Sequence, residues 1–579
     1  MKKIPSLPRK KGFKYYIPDI LLCMLLITLS AVITFHNLGA GIGDFPQTAY
    51  YANELTYIDF GQEVEFQGAV YILGGGPRAE GFRLYAWDGR DATELLHEEM
   101  NDDLRFVWRS FMFSSMTRYI IIETIEPDIT GLSILEMVFF GNGGKFIEPA
   151  LCTPADAALM FDEPWLVKSD PSTMSEMNWD EIAHAVTAYD FIHAQPPREW
   201  THPPLGKSII ALGIKAFGMT PFGWRFMSAL FGVLVTIPIY VFGRRMSGSR
   251  RIAFLVSFVF TFDFMRYVQS RVATLDMFLV TFIICMYLFM YEYIQTSPEK
   301  RCEPKSLMYL SLSGAFMGLA ISVKWTGVFA GLGLGVLFAL AWFESRKHYD
   351  SRNDKRSFTK DFTKTVWWCV LFFVAVPIAI YCLSYIPFSR AYGLRWPGGI
   401  ISNQADMLGF HSTLDRSADY ESSWWTWPLN LRPLRYYRHM ANGEYKGVRA
   451  FGNPALWWSG LLTLIWCIKR WIADRDKTAR FFCIAWIVQL LPWALISRFS
   501  YIYHYFPCVP FLALMIGYFI KNQKEKRQVW FVLGFCALVL VLFVAFYPTL
   551  SGTFSASIDY ITNLQWLPGW DFTGLIIER

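Results

Sequence analysis

Apolar runs near 20 residues alternate with short charged connectors along most of this chain. A run of about 20 apolar residues is what a helix needs to cross a bilayer. The pattern predicts about eleven spans, at roughly 17–38, 221–243, 252–268, 275–294, 306–323, 325–343, 365–388, 453–468, 481–496, 502–520 and 528–548. No small-residue cleavage site is clear after the first run, which therefore reads as a retained helix.

Between the first two spans the period changes. Residues 45–160 carry short alternating or β-branched runs, "TYIDFGQEVEFQGAVYILG", "FRLYAWDG", "RFVWRSFMF", "RYIIIETI" and "LSILEMVFFG". Gly74-Gly75-Gly76-Pro77, Asp88-Gly89 and Gly141-Asn142-Gly143-Gly144 punctuate them. Short strands at such spacing argue for a β-sandwich. Its pattern is similar to discoidin-like or carbohydrate-binding jelly rolls, and it equally suits a spacer without a ligand. Residues 161–220 turn helical. "WDEIAHAVTAYDFIHA" puts Ile182, Ala185, Val186, Tyr189 and Ile192 on one face, which predicts an amphipathic helix at the membrane interface. "PPLGKSIIALGIKAFG" predicts a second short helix opened by its proline pair. The fold expected is thus a polytopic α-helical membrane protein with an inserted β-sandwich. Its parts are a basic tail and first span at 1–44, the insert at 45–160, the interfacial helices at 161–220, a bundle at 221–548 with a loop at 389–452, and a tail at 549–579.

Charge orients this scheme. Lys2, Lys3, Arg9, Lys10, Lys11 and Lys14 precede the first span, and Arg244, Arg245, Arg250 and Arg251 follow the second. Further clusters stand at 346–364, 469–480 and 521–527, on the same side if the spans number eleven. That side is expected to be cytoplasmic. Residues 40–200 lie opposite and hold 27 acidic against 9 basic residues, a local balance of −18. The total of +6 hides these two faces and implies no nucleic-acid partner. Cys152 is alone in the outer segment, which excludes a disulfide framework there.

Three groups could carry chemistry. Asp180-Glu181 opens the interfacial helix, where a carboxylate could take a proton from a hydroxyl; acids also suit any helix N-terminus. His202 and Lys207 flank the proline pair and would suit an anionic head group, or simply anchor the interface. Arg225, Arg271, Lys324 and Arg498 stand at span ends expected to face the compartment of Asp180. Charges in that position are expensive, and arginine offers a planar donor fork for phosphate.

"WDEIAHAVTAYDF", "EWTHPPLGKSIIALGIKAFGMTPFGWRFMSALFG", "FDFMRYVQSRVATLD", "SSWWTWPLNLRPLRYY", "GNPALWW" and "YIYHYFPCVPF" follow one another in order over 174–548. In this combination the chain closely resembles the protein O-mannosyltransferases of the GT-C superfamily. The insert at 45–150 looks like the form found in some Gram-positive bacteria. Eukaryotic members instead carry a β-trefoil in the later outer loop, for which 389–452 is too short.

The resemblance implies transfer of mannose from a polyprenyl-phosphate carrier to Ser or Thr hydroxyls of secreted or membrane proteins, with inversion at the anomeric carbon. It implies Asp180 as general base, Glu181 as its neighbour in positioning, and Arg225 on the donor phosphate. His202, Arg271, Lys324, Arg498 and His504 are the secondary candidates. Fixed cations can stabilise the departing lipid phosphate, so neither a metal nor a cofactor is expected. Relatives often work as dimers; this sequence does not address its oligomeric state. A GT-C enzyme acting on a glycolipid or wall polymer, and a transporter of lipid-linked sugars, remain alternatives. The transporter would place its carboxylates at mid-membrane. Because every motif lies outside 45–150, the insert is expected to be separable from the chemistry.

Overall fold

The computed structural model describes residues 15–52, 55–75, 81–99, 105–126, 132–167, 172–413 and 419–574. The basic residues Lys2 to Lys14 and the turn residues Gly76-Pro77 lie outside the described residues. The chain divides into two compact units. One comprises Asn37–Glu199 with Ile210–Arg225; the other comprises Met1–His36, Trp200–Ile209 and Phe226–Arg579.

The first unit contains an antiparallel sheet of eight strands: β1 (Tyr50–Ala52), β2 (Leu55–Leu73), β3 (Gly81–Trp87), β4 (Ala92–Glu99), β5 (Trp108–Ile125), β6 (Leu132–Phe140), β7 (Phe146–Ile147) and β8 (Leu151–Thr153). The order is β1-β6-β2-β5-β3-β4, with β7 on β6 and β8 on β2. The runs 105–113 and 118–125, expected as two strands, are one long strand, and all eight strands join in one hydrogen-bonded sheet rather than two. Register breaks between Asp59 and Val64 and between Phe66 and Gly68 interrupt the β2–β5 ladder; such bulges bend long strands. Phe60, Phe66, Phe82, Ile120, Ile134 and Phe139 share its buried core. The sequence reading passed over β4, whose "ATELLHEE" is mostly polar and has no fully buried position.

The expected interfacial helix is Glu181–His193, but it is packed into this unit, with eight of its thirteen residues buried. Its apolar face is only part of the reason. Glu181, His184, Thr187 and Asp190, at intervals of three, form a buried polar stripe. Arg105, from just before β5, pairs with Asp190 at 2.8 Å, with both side chains nearly inaccessible. The backbone N–H of Arg198 adds a bond to Asp190, and that of Glu199 bonds Thr187 Oγ1. The sheet and this helix therefore belong to one folded body, against the expectation of a separable insert.

Nine helices among the described residues are long and apolar enough to cross a membrane, eight of them wholly in the second unit and Pro221–Ser247 mostly so. A tenth span results if Arg250–Thr261 and Phe264–Arg271 count as one. The sequence predicts that region as a continuous helix, 252–268, but it bends by 58°. Asp263 lies at the bend in extended backbone and caps the second half by accepting from Arg266 N–H. Its other oxygen accepts from Asn453 N–H and Trp457 Nε1, both at 3.0 Å. The expected span 453–468 is the helix Pro454–Asp474. Four tryptophans and Lys469-Arg470 dilute its apolar character, so by length and composition it does not join the nine. Past the loop helix Ile400–Thr413, β9 (Leu434–Ala441) and β10 (Glu444–Ala450) form a hairpin that pairs β11 (Ala556–Ser557) of the tail. Asn442 and Gly443 both hold positive φ in its turn, the conformation a two-residue hairpin loop demands.

Candidate functional site

Asp180 is the N-cap residue of the helix Glu181–His193, and Trp179 before it holds φ at 54°. Bulky residues rarely adopt that left-handed conformation, and such strain gathers at functional sites. Asp180 is half-buried. Glu181 is fully buried and accepts from Arg225 Nε and Nη2, each at 2.7 Å, and from Asn178 N–H. Arg225, also buried, donates further to the carbonyls of Leu38, Thr173 and Glu176. These contacts use all five N–H groups that a guanidinium has. Arg225 has no donor left for a phosphate, so the expected phosphate-binding role does not fit it. Its contacts instead fasten the N-terminus of the helix that carries Asp180.

In the membrane unit, "SSWWTWP" and the stretch 493–500 line a cavity of about 740 Å³. Trp424, Trp425, Trp427 and Trp493 supply flat faces; Arg432 and Arg498 supply charge; Ser422, Ser423, Thr426, Ser497 and Ser500 supply hydroxyls. Arg432 donates one bond, to the carbonyl of Glu421. The Arg498 guanidinium makes no hydrogen bond or ion pair among the described residues, and burial lowers its pKa from the ordinary arginine value. His504 stacks on Trp493 with ring centroids 4.1 Å apart. It lies within electrostatic reach of Lys324, Arg498, His202 and His411.

The remaining candidates divide. Lys324 Nζ sits 2.8 and 2.9 Å from the two oxygens of Asp276 and 5.2 Å above the Tyr503 ring, so its charge is already paired. Arg271 Nη1 donates to the carbonyls of Thr34 and His36 at the end of the first span. That contact caps the C-terminus of the first span and occupies one of the three guanidinium nitrogens of Arg271. The carbonyl of His202 accepts from the buried Lys207, and its ring meets that of His411 at 5.6 Å. His411 itself bonds the carbonyl of Thr201. The sequence reading missed His411, Arg432 and Trp493. No periodicity links positions so distant in the chain; Arg498 and the motif "SSWWTWPLNLRPLRYY", which contains Arg432, were the signals that pointed toward the cavity.

The long apolar helices and the β-rich sheet define a multi-pass membrane protein with an added β unit. Residues 210–390 match the family described as dolichyl-phosphate-mannose-protein mannosyltransferase, and residues 396–570 match the C-terminal four TMM region of protein-O-mannosyltransferase. The chain belongs to the protein O-mannosyltransferase family. It is 27% identical over 454 residues to a polyprenol-phosphate-mannose–protein mannosyltransferase of Mycolicibacterium smegmatis (strain MKD8), covering 68% of this chain and 87% of the relative. A Corynebacterium glutamicum protein of the same name is 28% identical over 428 residues, covering 64% and 81%. A solved structure of the S. cerevisiae protein O-mannosyltransferase Pmt1-Pmt2 complex bound to the sugar donor shares the fold, with a TM-score of 0.59 at 15% identity. That match covers 69% of this chain and 89% of the other.

Proposed function

We propose that this chain transfers mannose from polyprenyl-phosphate-mannose to Ser or Thr hydroxyls of proteins, inverting the anomeric carbon. The observation that carries this reading is the family match across both membrane segments, 210–390 and 396–570. The names of the mycobacterial and corynebacterial relatives supply the donor and acceptor classes.

The residues divide the work as follows. Asp180 accepts the proton of the acceptor hydroxyl as its oxygen attacks C1 of the sugar. The C1–O bond to phosphate breaks, its electron pair stays on the phosphate oxygen, and the lipid phosphate departs. In the membrane unit, Arg498 and Arg432 border a cavity whose charges suit a lipid phosphate; fixed donors of this kind act most strongly where water is excluded. The tryptophan faces of the same cavity suit the apolar face of a sugar. Lys324, His202 and His504 add to the local positive field. Glu181 and Arg225 are positioning residues that act through Asp180.

The Lys/Arg bias supports a cytoplasmic N-terminus and an extracytoplasmic site, which suits secreted or membrane proteins as acceptors. Incubation of the purified chain with synthetic polyprenyl-phosphate-mannose and a Ser/Thr peptide, beside a lipid acceptor, tests the proposal. Mannosylated peptide supports it; transfer to the lipid alone overturns it.

A further inference from the structure

One cluster in the β-rich unit has no place in this chemistry. Glu136, Asp162 and Glu163 each present a carboxylate oxygen, and these oxygens all lie within 4.8 Å of one another. The sequence gives no expectation of a metal, and Pro164 directly follows the pair Asp162-Glu163. The fold brings to that pair a third acid from β6, which is otherwise buried and apolar along nearly all its length.

Glu136 is 0% exposed, and its Oε2 accepts one hydrogen bond, from Glu163 N–H at 3.0 Å. Among the described residues its Oε1 has no hydrogen-bond partner, and neither does Oε2 of Glu163. The Glu163 carboxylate accepts from the backbone N–H of Gln47. None of the three acids forms an ion pair with a described residue. Burial first, and then the neighbouring charges of Asp162 and Glu163, push the Glu136 carboxyl up to about 8. A buried carboxylate without a counter-charge is costly, and each orphaned oxygen adds the cost of its lost solvation.

A cation removes both costs at once. Two oxygens that each lie about 2.3–2.6 Å from one calcium ion are at most about 5 Å apart, and these three oxygens fall within that limit. The ligands are all hard oxygens, and Asp162 is exposed, leaving the cluster open to solvent on one side. We propose that Glu136, Asp162 and Glu163 bind a calcium ion, which ties the segment 162–163 to strand β6. Backbone carbonyls and water would complete the shell, as calcium prefers six to eight oxygens. Glu136 and the 162–163 segment belong to the same unit as the helix that bears Asp180.

The test is calcium binding by the full-length protein in detergent after chelation, followed by equilibrium dialysis with radioactive calcium. One equivalent should bind with a dissociation constant of about 10⁻⁴–10⁻³ M, the range of extracellular modules. Asp162→Asn, at an exposed position, and Glu136→Gln, which keeps the acceptor for Glu163 N–H, should each weaken binding about tenfold or more. Asp91→Asn, in the turn between β3 and β4, should not. Calcium should raise the thermal midpoint of the wild type and leave Glu136→Gln unmoved. No bound calcium, or binding unchanged in both cluster variants, overturns the proposal and leaves Glu136 as a buried protonated acid.

Discussion

Arg225 grips Glu181 through two parallel hydrogen bonds of 2.7 Å, and both side chains are buried. Three backbone carbonyls take the remaining donors of Arg225. The pair is a clasp on the N-terminus of the helix that begins beside Asp180. Removing one partner of such a pair leaves the other charged and unsolvated, at a cost of about 3–5 kcal/mol. Arg225→Ala should therefore lower stability by that order, measured by thermal unfolding. Arg225→Lys should recover only part of it, because lysine lacks the fork. A stable Arg225→Ala protein with selectively weakened donor binding would restore the phosphate role that its contacts deny.

Arg498 is the cation to examine for the donor. It borders the cavity without a partner among the described residues. Hydrogen bonds to charged groups contribute about 1.5–3 kcal/mol, so Arg498→Ala should weaken donor binding or slow transfer by about ten- to a hundredfold. Folding should be spared, since nothing buried loses its partner. Arg498→Lys should sit between the two. Titration of polyprenyl-phosphate-mannose against each variant reads the effect, and equal affinities would remove Arg498 from the phosphate.

Deleting residues 45–150 should damage more than acceptor capture. The deletion removes Arg105, the ion-pair partner of Asp190, which is wholly buried on the helix that begins beside Asp180. Transfer to a short peptide and to a whole protein should fall together, with loss of folded material. The single change Arg105→Ala should reproduce the loss of stability. A well-expressed deletion that still modifies a short peptide would show that the sheet is separable after all.

Topology follows from the basic clusters. A cysteine in place of Arg90, exposed between β3 and β4, should react with an impermeant thiol reagent on intact cells. Labelling only after the cytoplasm is opened would reverse the orientation.

The spans were legible because bilayer thickness imposes one length on them, and nine of the expected segments are long apolar helices. The strands at 56–74 and 132–141 were legible from β-branched and aromatic residues. The bend at Asp263 was not, because its cause is a capping carboxylate whose other partners, Asn453 and Trp457, are far along the chain. Asp180-Glu181 could be picked out as an acidic pair at a helix start. Its division of labour could not, since burial and the Arg225 pairing separate Glu181 from Asp180 only in three dimensions. Arg225, Arg271 and Lys324 all looked like free cations at span ends; in the fold, carbonyl oxygens hold Arg271, Asp276 holds Lys324, and Glu181 together with carbonyl oxygens holds Arg225.

The most direct measurement compares wild type with Asp180→Asn in transfer from polyprenyl-phosphate-mannose to a Ser/Thr peptide, with product linkage read by NMR. The wild type should yield an α-linked mannosyl peptide. Asp180→Asn should fold normally, bind donor, and turn over about 10²–10⁴-fold more slowly, the scale for losing a general base. A folded Asp180→Asn protein with full activity, or a wild type that leaves the peptide unmodified while glycosylating a lipid, would contradict the account.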